Sequence, residues 1–382
     1  MTDSLLRWRS EFPILAHTTY LVSHSMGAMP RSATDWLARY GREWSEQGVA
    51  AWERWEPYVR EHADRIGTLI GAPAGTVALH QNVSTLFGIL LSGLVQPGGR
   101  TKVVATDLNF PTLLYALQMH EDLGLRLHRI PSPDGITIPL EAWEDAVDDR
   151  TLAVVVDHGI FRSGALQDVA AITQIAHRHG AWSIVDAYQT VGCVPVDVRA
   201  WGADAVLGGS HKWLCGGPGA AWLYVQSDRL ASVRPRMVGW FSHRDPFAFD
   251  LRMEFAADAM RFATGTPGIP GLFAARAGLE IVLEVGAEAI RQKSVRFTQR
   301  IIDLADEYGL RVNTPREASA RGGLVVVDFP GAEAATRELA RRNVLVDHRP
   351  RAGIRISGHF YTADEEIDHA FDVLREFARR SA

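Results

Sequence analysis

The feature that most constrains the fold of this chain is a regular alternation of short apolar runs and longer amphipathic runs between Thr76 and Val225. Strands that alternate with helices of about ten residues or more predict βαβ units and a mainly parallel sheet covered by helices, which is an α/β fold. The strands are predicted at Val77–Leu79, Lys102–Asp107, Leu152–Asp157, Trp182–Asp186, Asp204–Leu207 and Ala220–Val225, and the helices near Ser84–Val95, Pro111–Leu123, Leu140–Val147 and Asp168–His179.

The pattern changes after Trp240, and this change predicts a second domain. A Gly/Pro-rich stretch, GTPGIPG at 265–271, opens long helices, and short strands and helices alternate from about residue 324 to the end. A chain of 382 residues is long enough for two domains. We predict an N-terminal segment (1–50) that packs on the small domain and the active site, a large domain (51–255) and a small α+β domain (256–382).

Composition and charge argue against several kinds of function. The net charge is −5, the pI is about 6.3 and no dense basic run occurs, so nucleic acid is not an expected partner. The longest nearly apolar run, Leu86–Val95, is too short to span a bilayer. With no secretory signal at the start and only two cysteines, we expect a cytoplasmic protein without a disulfide framework. The histidines lack zinc-ligand spacing, so no metal site is expected.

Lysine is rare in this chain, and its rarity draws attention to Lys212. Only three lysines occur, at Lys102, Lys212 and Lys293, while arginine supplies the other basic side chains. Arginine keeps its charge and cannot replace an amine that must lose a proton and attack a carbonyl carbon. Lys212 has apolar and glycine neighbours, which are unusual for a solvated surface lysine. A partly desolvated amine with a lowered pKa is what Schiff-base formation requires.

A carboxylate, Asp186, stands at the end of the apolar strand that begins at Trp182. Ligands of open α/β sheets bind outside the carboxyl ends of the strands, so Asp186 is expected at the binding edge. A carboxylate there could pair with the protonated ring nitrogen of pyridoxal 5′-phosphate (PLP). A helix N-cap or a loop carboxylate is the alternative role. Together, Asp186 and Lys212 predict an enzyme that holds PLP as a Schiff base on Lys212.

The segment SHKWLCGGPG at 210–219, with VDAYQ at 185–189 before it, resembles the PLP site of the class V aminotransferase superfamily, fold type I. That superfamily includes kynureninases, cysteine desulfurases, isopenicillin N epimerases and some carbon–sulfur lyases. The resemblance covers most of the chain and is strongest to the kynureninase-like group. It implies PLP as the cofactor, a large domain with a seven-stranded type of sheet, and a homodimer with the active site at its interface.

Further motifs assign cofactor-binding residues by the same resemblance. QNVST (81–85) assigns Val83 and Ser84 to the phosphate, with a plain helix N-cap as the alternative for Ser84. DLNFPT (107–112) resembles an element whose phenylalanine stacks on the pyridine ring, which assigns Phe110, with a core phenylalanine as the alternative. The remaining cofactor-binding residues are His158 and Gln189, and also His211, which the resemblance places on the phosphate.

The two ends of the chain resemble substrate-binding elements. YLVSHSMGAMPR (20–31) resembles a segment beside the substrate carboxylate and assigns Ser25 and Met26. GIRISGHFYTADEEID (353–368) resembles the C-terminal signature, in which an arginine, here Arg355, binds the substrate α-carboxylate through a bidentate fork. VGWF (238–241) and GTP (265–267) resemble elements that reach the phosphate of the neighbouring subunit, which assigns Trp240 and Thr266.

The resemblance narrows the reaction to a few candidates. Desulfurases carry a persulfide-forming cysteine in the small domain, whereas this chain has no cysteine after Cys215. Kynureninases have a tyrosine at the position of His211 and a small residue at that of Tyr188. We therefore predict a PLP-dependent lyase that breaks a C–S or C–C bond at Cβ of an L-amino acid, with Lys212 as general base and acid. The alternatives are kynureninase proper, an epimerase or aminotransferase, and a PLP-binding regulatory protein.

Overall fold

The computed structural model describes residues 3–96 and 98–381 of the chain. The strands are β1 (Thr19–Tyr20), β2 (Val77–His80), β3 (Lys102–Thr106), β4 (Arg126–Ile130), β5 (Thr151–Asp157), β6 (Trp182–Asp186), β7 (Ala205–Gly209), β8 (Ala221–Val225), β9 (Arg311–Val312), β10 (Val325–Asp328), β11 (Val344–Leu345), β12 (Asp347–Arg349) and β13 (Gly353–Ile356). The helices are α1 (Ala33–Gln47), α2 (Trp52–Leu69), α3 (Val83–Leu94), α4 (Pro111–Met119), α5 (Leu140–Ala146), α6 (Val169–Arg178), α7 (Val198–Trp201), α8 (Ser227–Leu230), α9 (Ile269–Val285), α10 (Ala287–Glu307), α11 (Ala332–Arg341) and α12 (Asp364–Ser381). Within these ranges no helix is long and apolar enough to cross a membrane.

Seven strands form one sheet in the order β2-β8-β7-β6-β5-β3-β4. β7, β6, β5, β3 and β4 pair in parallel, whereas β8 is antiparallel to both of its neighbours. The prediction of a mainly parallel, seven-stranded type of sheet is confirmed, and the six strands predicted between residues 77 and 225 are all present. The sequence pattern does not predict β4, because its residues, RLHRI, are mostly charged and exposed at the edge of the sheet.

Alternate side chains of the central strands enter two different hydrophobic clusters, so the sheet is buried on both faces. On β5, Val154 and Val156 belong to the cluster that contains residues of α5 and α6, whereas Ala153 and Val155 belong to the cluster that contains residues of α3 and α4. Burial on both faces explains why these strands are nearly continuous apolar runs in the sequence.

The small domain has a four-stranded antiparallel sheet in the order β12-β13-β10-β9. Its core joins Val325 and Val327 of β10 to Phe297 of α10 and Phe371 of α12. Helix α9 packs instead in the core of the large domain, for example through Phe273. The α+β character of this region is therefore observed, while the boundaries at residues 50 and 255 remain predictions.

The N-terminal segment runs from the small domain to the backbone of Lys212. β1 pairs in parallel with β11, and Val22 forms a parallel bridge with Ser357. A little further on, the Gly27 N–H donates a hydrogen bond to the His211 carbonyl oxygen at 2.8 Å. A Cβ added to Gly27 would lie only 2.2 Å from the Lys212 carbonyl oxygen. The segment is therefore packed tightly against the backbone that carries the lysine.

Candidate active site

Three adjacent strands end at one edge of the large sheet and bring most of the predicted residues together. β5 ends at Asp157, β6 ends at Asp186, and β7 ends at Gly209, shortly before Lys212. A cavity of about 180 Å³ opens at this edge. The predicted residues that line it are Val83, Ser84, Phe110, Asp186, Gln189, His211 and Lys212, and they are joined by Asn82, Thr112, Asp157, Gly159, Phe161 and Tyr188.

Lys212 is buried, and its amine faces two aromatic rings. The Nζ atom lies 4.6 Å from the centre of the Tyr188 ring and 5.3 Å from the centre of the Phe110 ring. Burial lowers the pKa of Lys212 to about 8, although the negative charges of Asp186 and Asp157 act in the opposite direction. About a tenth of the amine is therefore unprotonated at pH 7, far more than for an ordinary lysine, and the unprotonated amine is the nucleophile.

The other two lysines have structural partners. Lys102 Nζ donates to a backbone carbonyl oxygen at 2.6 Å and pairs with Asp148 at 3.0 Å. Lys293 Nζ donates to a backbone carbonyl oxygen at 2.5 Å and pairs with Asp3 at 2.8 Å. Neither of them lines the cavity that contains Lys212. The neighbours of Lys212, more than the rarity of lysine, therefore distinguish it.

Two buried carboxylates stand side by side where β5 and β6 end, because Asp157 and Asp186 are paired in the register of the sheet. Asp157 accepts hydrogen bonds from the Asn109 side chain at 2.6 Å and the Phe110 N–H at 2.8 Å, and Asp186 accepts from the Tyr188 N–H at 2.8 Å. Burial raises the pKa of Asp186, and burial together with the charge of Asp186 raises the pKa of Asp157 well above its ordinary value. Burial and the mutual repulsion of the two carboxylates therefore favour a proton on this pair.

The N-terminus of α3 forms another wall of the cavity. Asn82 caps this helix, since its side chain accepts a hydrogen bond from the Thr85 N–H at 2.9 Å. The N-cap alternative for Ser84 is therefore wrong. The backbone N–H groups of Val83 and Ser84 belong to the first turn, where no intrahelical acceptor exists, and such groups form an anion site.

His211 and Gln189 are two further predicted residues that line the cavity. Burial lowers the pKa of His211 to about 4, so its ring is neutral at pH 7. Gln189 Nε2 donates to the His24 carbonyl oxygen at 3.1 Å, and its Oε1 accepts from the Trp213 ring at 3.3 Å. Gln189 thus ties the N-terminal segment to the strand end that carries Asp186.

Arg355, on β13 of the small domain, is buried and already engaged. Its Nε and Nη2 donate to the two oxygens of Asp347 at 2.7 and 2.5 Å, and its Nη1 donates to the Phe161 carbonyl oxygen at 2.9 Å. His24 Nε2 and Arg349 Nη2 also lie 3.0 Å from Asp347. Burial by itself would raise the pKa of Asp347, but hydrogen bonds from His24 and Arg355 hold it below its ordinary value. An ionised Asp347 therefore occupies the fork that was expected to bind substrate.

His158 is not brought into the cavity by the structure. Side chains alternate along a strand, and His158 follows Asp157, so the two point to opposite sides. His158 Nδ1 lies 2.9 Å from Thr190 Oγ1, and its ring packs on Trp201. Its neighbour Gly159 lines the cavity in its place.

The remaining predicted residues lie outside the cavity wall. Ser25 and Met26 come directly before Gly27, which contacts the lysine backbone. Trp240 is half-buried and packs on Phe241 with ring centres 4.3 Å apart, and Thr266 is exposed. The assignment of Trp240 and Thr266 to a neighbouring subunit stays a prediction.

Two acidic residues of the candidate site were missed by the sequence analysis. Asp157 has the same signature as Asp186, an acidic residue directly after a buried strand, and that signature could have found it. Asp347 has no such signature, because only the pairing of β12 with β13 places it opposite Arg355. A third residue, Tyr188, was recognised as unusual, but the contact of its hydroxyl with His211 was not foreseen.

Comparisons with known proteins find a family model and relatives that span most of the chain. The family model for aminotransferase class-V matches residues 18–369. An uncharacterized aminotransferase, YcbU, from Bacillus subtilis is 33% identical over 375 residues, which cover 96% of this chain and 96% of that protein. A kynureninase from Pseudomonas fluorescens is 31% identical over 398 residues, which cover 99% of this chain and 93% of that protein.

Solved structures share the fold. A cysteine desulfurase from Thermococcus onnurineus superposes with a TM-score of 0.88 at 22% identity, covering 98% of each chain. The cystine C–S lyase C-DES, in complex with its product cysteine persulfide, superposes with a TM-score of 0.86 at 23% identity, covering 94% of this chain and 98% of that one.

Proposed function

Because this chain belongs to the class-V aminotransferase family, we propose that it is a PLP-dependent lyase that breaks a C–S or C–C bond at Cβ of an L-amino acid. The observation that carries the proposal is Lys212, a buried lysine with a pKa of about 8 that shares one cavity with Asp186 and two aromatic rings. A lysine that forms a Schiff base and then moves protons needs these surroundings.

The residues of the cavity fit PLP, the cofactor of this family. Val83 and Ser84 would hold its phosphate, Asp186 its ring nitrogen, and Phe110 one face of its ring. Among the described residues only the Tyr188 N–H donates to the Asp186 carboxylate, so this carboxylate has capacity for a further donor. When bound, PLP withdraws electrons from Cα of the amino acid and weakens the bonds there.

Lys212 would move the proton of the substrate. Its burial disfavours the ammonium form, so the neutral amine can accept a proton from Cα and later return one. Asp186 would keep a proton on the ring nitrogen, and its negative charge favours the protonated form of the neighbouring Asp157. For elimination of a sulfur group from Cβ, this one base is sufficient.

Arg355 would bind the substrate α-carboxylate, in exchange for Asp347. The Phe161 carbonyl oxygen holds the third donor group of Arg355, and Phe161 lines the cavity, so the fork lies close to it. A substrate carboxylate can take both N–H groups of the fork only if Asp347 leaves them. His24 and Arg349 already contact Asp347 and would remain as its partners.

Kynureninase proper is the second candidate, since a kynureninase is 31% identical to nearly the whole chain. The absence of a tyrosine at the position of His211 counts against it. A phenol is nevertheless close to that position, because Tyr188 Oη lies 2.7 Å from His211 Nδ1. Transamination is the third candidate, supported by the name of the Bacillus subtilis relative.

The decisive experiment identifies the products from kynurenine and from several S-substituted cysteines. We expect pyruvate and ammonia from one of the cysteine derivatives, together with a thiol, since water hydrolyses the eliminated amino acid. Alanine plus anthranilate from kynurenine would instead establish kynureninase. Racemised substrate, or amino-group transfer to a keto acid, as the only outcome would overturn the lyase proposal. Borohydride should trap the cofactor on Lys212, and a protein without PLP absorbance would refute the central assignment.

We also propose that the protein is a homodimer. Four exposed apolar side chains follow one another at alternate positions of the sequence after Trp240. They are Phe247, Phe249, Leu251 and Met253. Exposed apolar patches of this kind mark interaction sites, and a second copy would cover them. Light scattering coupled to size-exclusion chromatography should give twice the chain mass of 42.1 kDa, and a monomer would contradict the proposal.

A further inference from the structure

Tyr188 links the carboxylates of the cavity to the histidine beside Lys212. Its backbone N–H donates to Asp186 at 2.8 Å, and its ring centre lies 4.6 Å from Lys212 Nζ. Its hydroxyl lies 2.7 Å from His211 Nδ1, and within the described part of the chain His211 is the hydrogen-bond partner of this hydroxyl. Through its backbone and its side chain, Tyr188 therefore contacts three residues of the site.

The position of the Tyr188 hydroxyl depends on Gly209. A Cβ added to Gly209 would lie 2.1 Å from Oη and 2.3 Å from Cζ of Tyr188, so a larger residue fits only if the tyrosine moves. Gly209 does not belong to the glycines with positive φ, so its backbone would accept other residues. The phenol, and not the backbone conformation, therefore requires glycine at position 209.

The protonation states decide which group donates the hydrogen bond. Burial raises the pKa of Tyr188 above its ordinary value and lowers the pKa of His211 to about 4, so both are neutral at pH 7. A neutral imidazole has one donor nitrogen and one acceptor nitrogen. Within the described part of the chain His211 Nδ1 is the acceptor within reach of the phenol proton, so we assign the phenol as donor and Nδ1 as acceptor. The proton of the imidazole ring is then on Nε2.

We propose that Tyr188 is a positioning residue for the phosphate of the cofactor, because it orients His211 and leaves Nε2–H free to donate. This inference rests on the proposed PLP-dependent function. Tyr188, His211, Val83 and Ser84 line the same cavity, so the imidazole and the two N–H groups of α3 can act on one anion. A hydroxyl-bearing side chain at position 209 would occupy the place of the Tyr188 hydroxyl. In this chain position 209 is glycine, and Tyr188 provides the hydroxyl there.

The test compares PLP with pyridoxal, which lacks the phosphate, on the full-length protein freed of bound cofactor. Tyr188→Phe keeps the ring and removes only the hydroxyl. We expect the Kd of PLP to rise roughly 10-fold, the loss of about one hydrogen bond, while the Kd of pyridoxal is unchanged. Tyr308→Phe, in the small domain, is the matched control and should change neither. Equal losses for PLP and pyridoxal, or no loss, would overturn the proposal.

A second pair of variants tests the match between the two positions. A serine at position 209 can place its hydroxyl near the site of Tyr188 Oη only when the tyrosine is absent. We therefore expect Tyr188→Ala combined with Gly209→Ser to bind PLP more tightly than Tyr188→Ala alone, and the reverse order would count against the idea. If these variants do not fold, Tyr188→Phe decides alone. A wild-type protein that binds no PLP would refute the proposed function itself, which separates the two failures.

Discussion

The two ends of the active site, one in each domain, are built in different ways. In the large domain, strand ends and a helix N-terminus place Lys212, Asp186 and the α3 N–H groups around a cavity, and part of their hydrogen-bonding capacity is open. In the small domain, Arg355 already holds a carboxylate with its whole fork, because Asp347 faces it across two strands. The large-domain end can receive a ligand directly, whereas the small-domain end must exchange one partner for another.

This difference has an energetic consequence. Binding at the large-domain end gains the full value of each new hydrogen bond, less the cost of removing water. Binding at the Arg355 fork gains only the difference between two similar ion pairs. We therefore expect substitutions at the large-domain end to have the larger effects.

The largest effect is expected for Lys212→Ala. The substitution removes both the Schiff-base amine and the group that moves the Cα proton, so turnover should fall roughly 10²- to 10⁴-fold. The absorbance of the bound cofactor should also shift to that of free PLP. Lys102→Arg, which can keep the ion pair with Asp148, is the control and should retain activity. Turnover that survives in Lys212→Ala would show that the large-domain end does not supply the reacting amine, and it would contradict the expected order of effects.

The next largest effect is expected for Arg355→Lys, which keeps the charge but loses the fork. The KM for amino acids should rise roughly 10-fold, which is less than the full value of about 1.5–3 kcal/mol for charged hydrogen bonds, because the wild-type fork must first give up Asp347. The Kd of PLP should be unchanged. Arg316→Lys, an exposed arginine paired with Asp306, serves as the control. Equal losses of PLP and amino-acid affinity would contradict the assignment of Arg355 to the substrate.

Asp347→Asn tests the exchange itself and should have a smaller effect of the opposite sign. Without the competing negative charge, Arg355 is free to bind the substrate, and the KM should fall several-fold. Steady-state kinetics on Asp347→Asn and on Arg355→Lys in parallel make the comparison direct. A KM that rises in both variants would show that Asp347 only positions the arginine.

The smallest effect concerns stability without cofactor. Lys212 has a folded-state pKa of about 8, below its ordinary value of 10.5, so below pH 8 the fold contains a buried charge that it disfavours. Between pH 8 and about 10.5 the unfolded chain binds more protons than the folded one, and stability rises with pH. Lys212→Met should therefore melt a few degrees higher than the wild type at pH 7. In calorimetry the gap should shrink as the pH rises above 8; a constant gap would contradict this cause.

The sequence predicted the positions of residues that lie directly at the end of a strand or at the start of a helix. Lys212, Asp186 and the start of α3 each follow a strand or open a helix, so their positions could be inferred from the strand–helix alternation. The edge strand β4 was missed because exposed strands lack the apolar signature that marks a buried one.

The residues that were misplaced or missed depend on longer-range geometry. His158 is directed away from the cavity because alternation along β5 gives that side to Asp157. The partner of Arg355 lies on another strand, and a register of antiparallel strands cannot be read from spacing alone. The pairing of Tyr188 with Gly209 also joins two strand ends that are adjacent only in the folded sheet.

The contact of Gly27 with the Lys212 carbonyl oxygen has a practical consequence for protein engineering. The first thirty residues resemble a tail that could be trimmed or exchanged, since they contain only short elements. Yet Gly27 is wedged against the lysine backbone, and Val22 is bridged to Ser357 in the small domain. A shortened or chimeric protein that loses this stretch would expose the back of its own active-site lysine to water, so expression tags belong ahead of it and deletions should spare it.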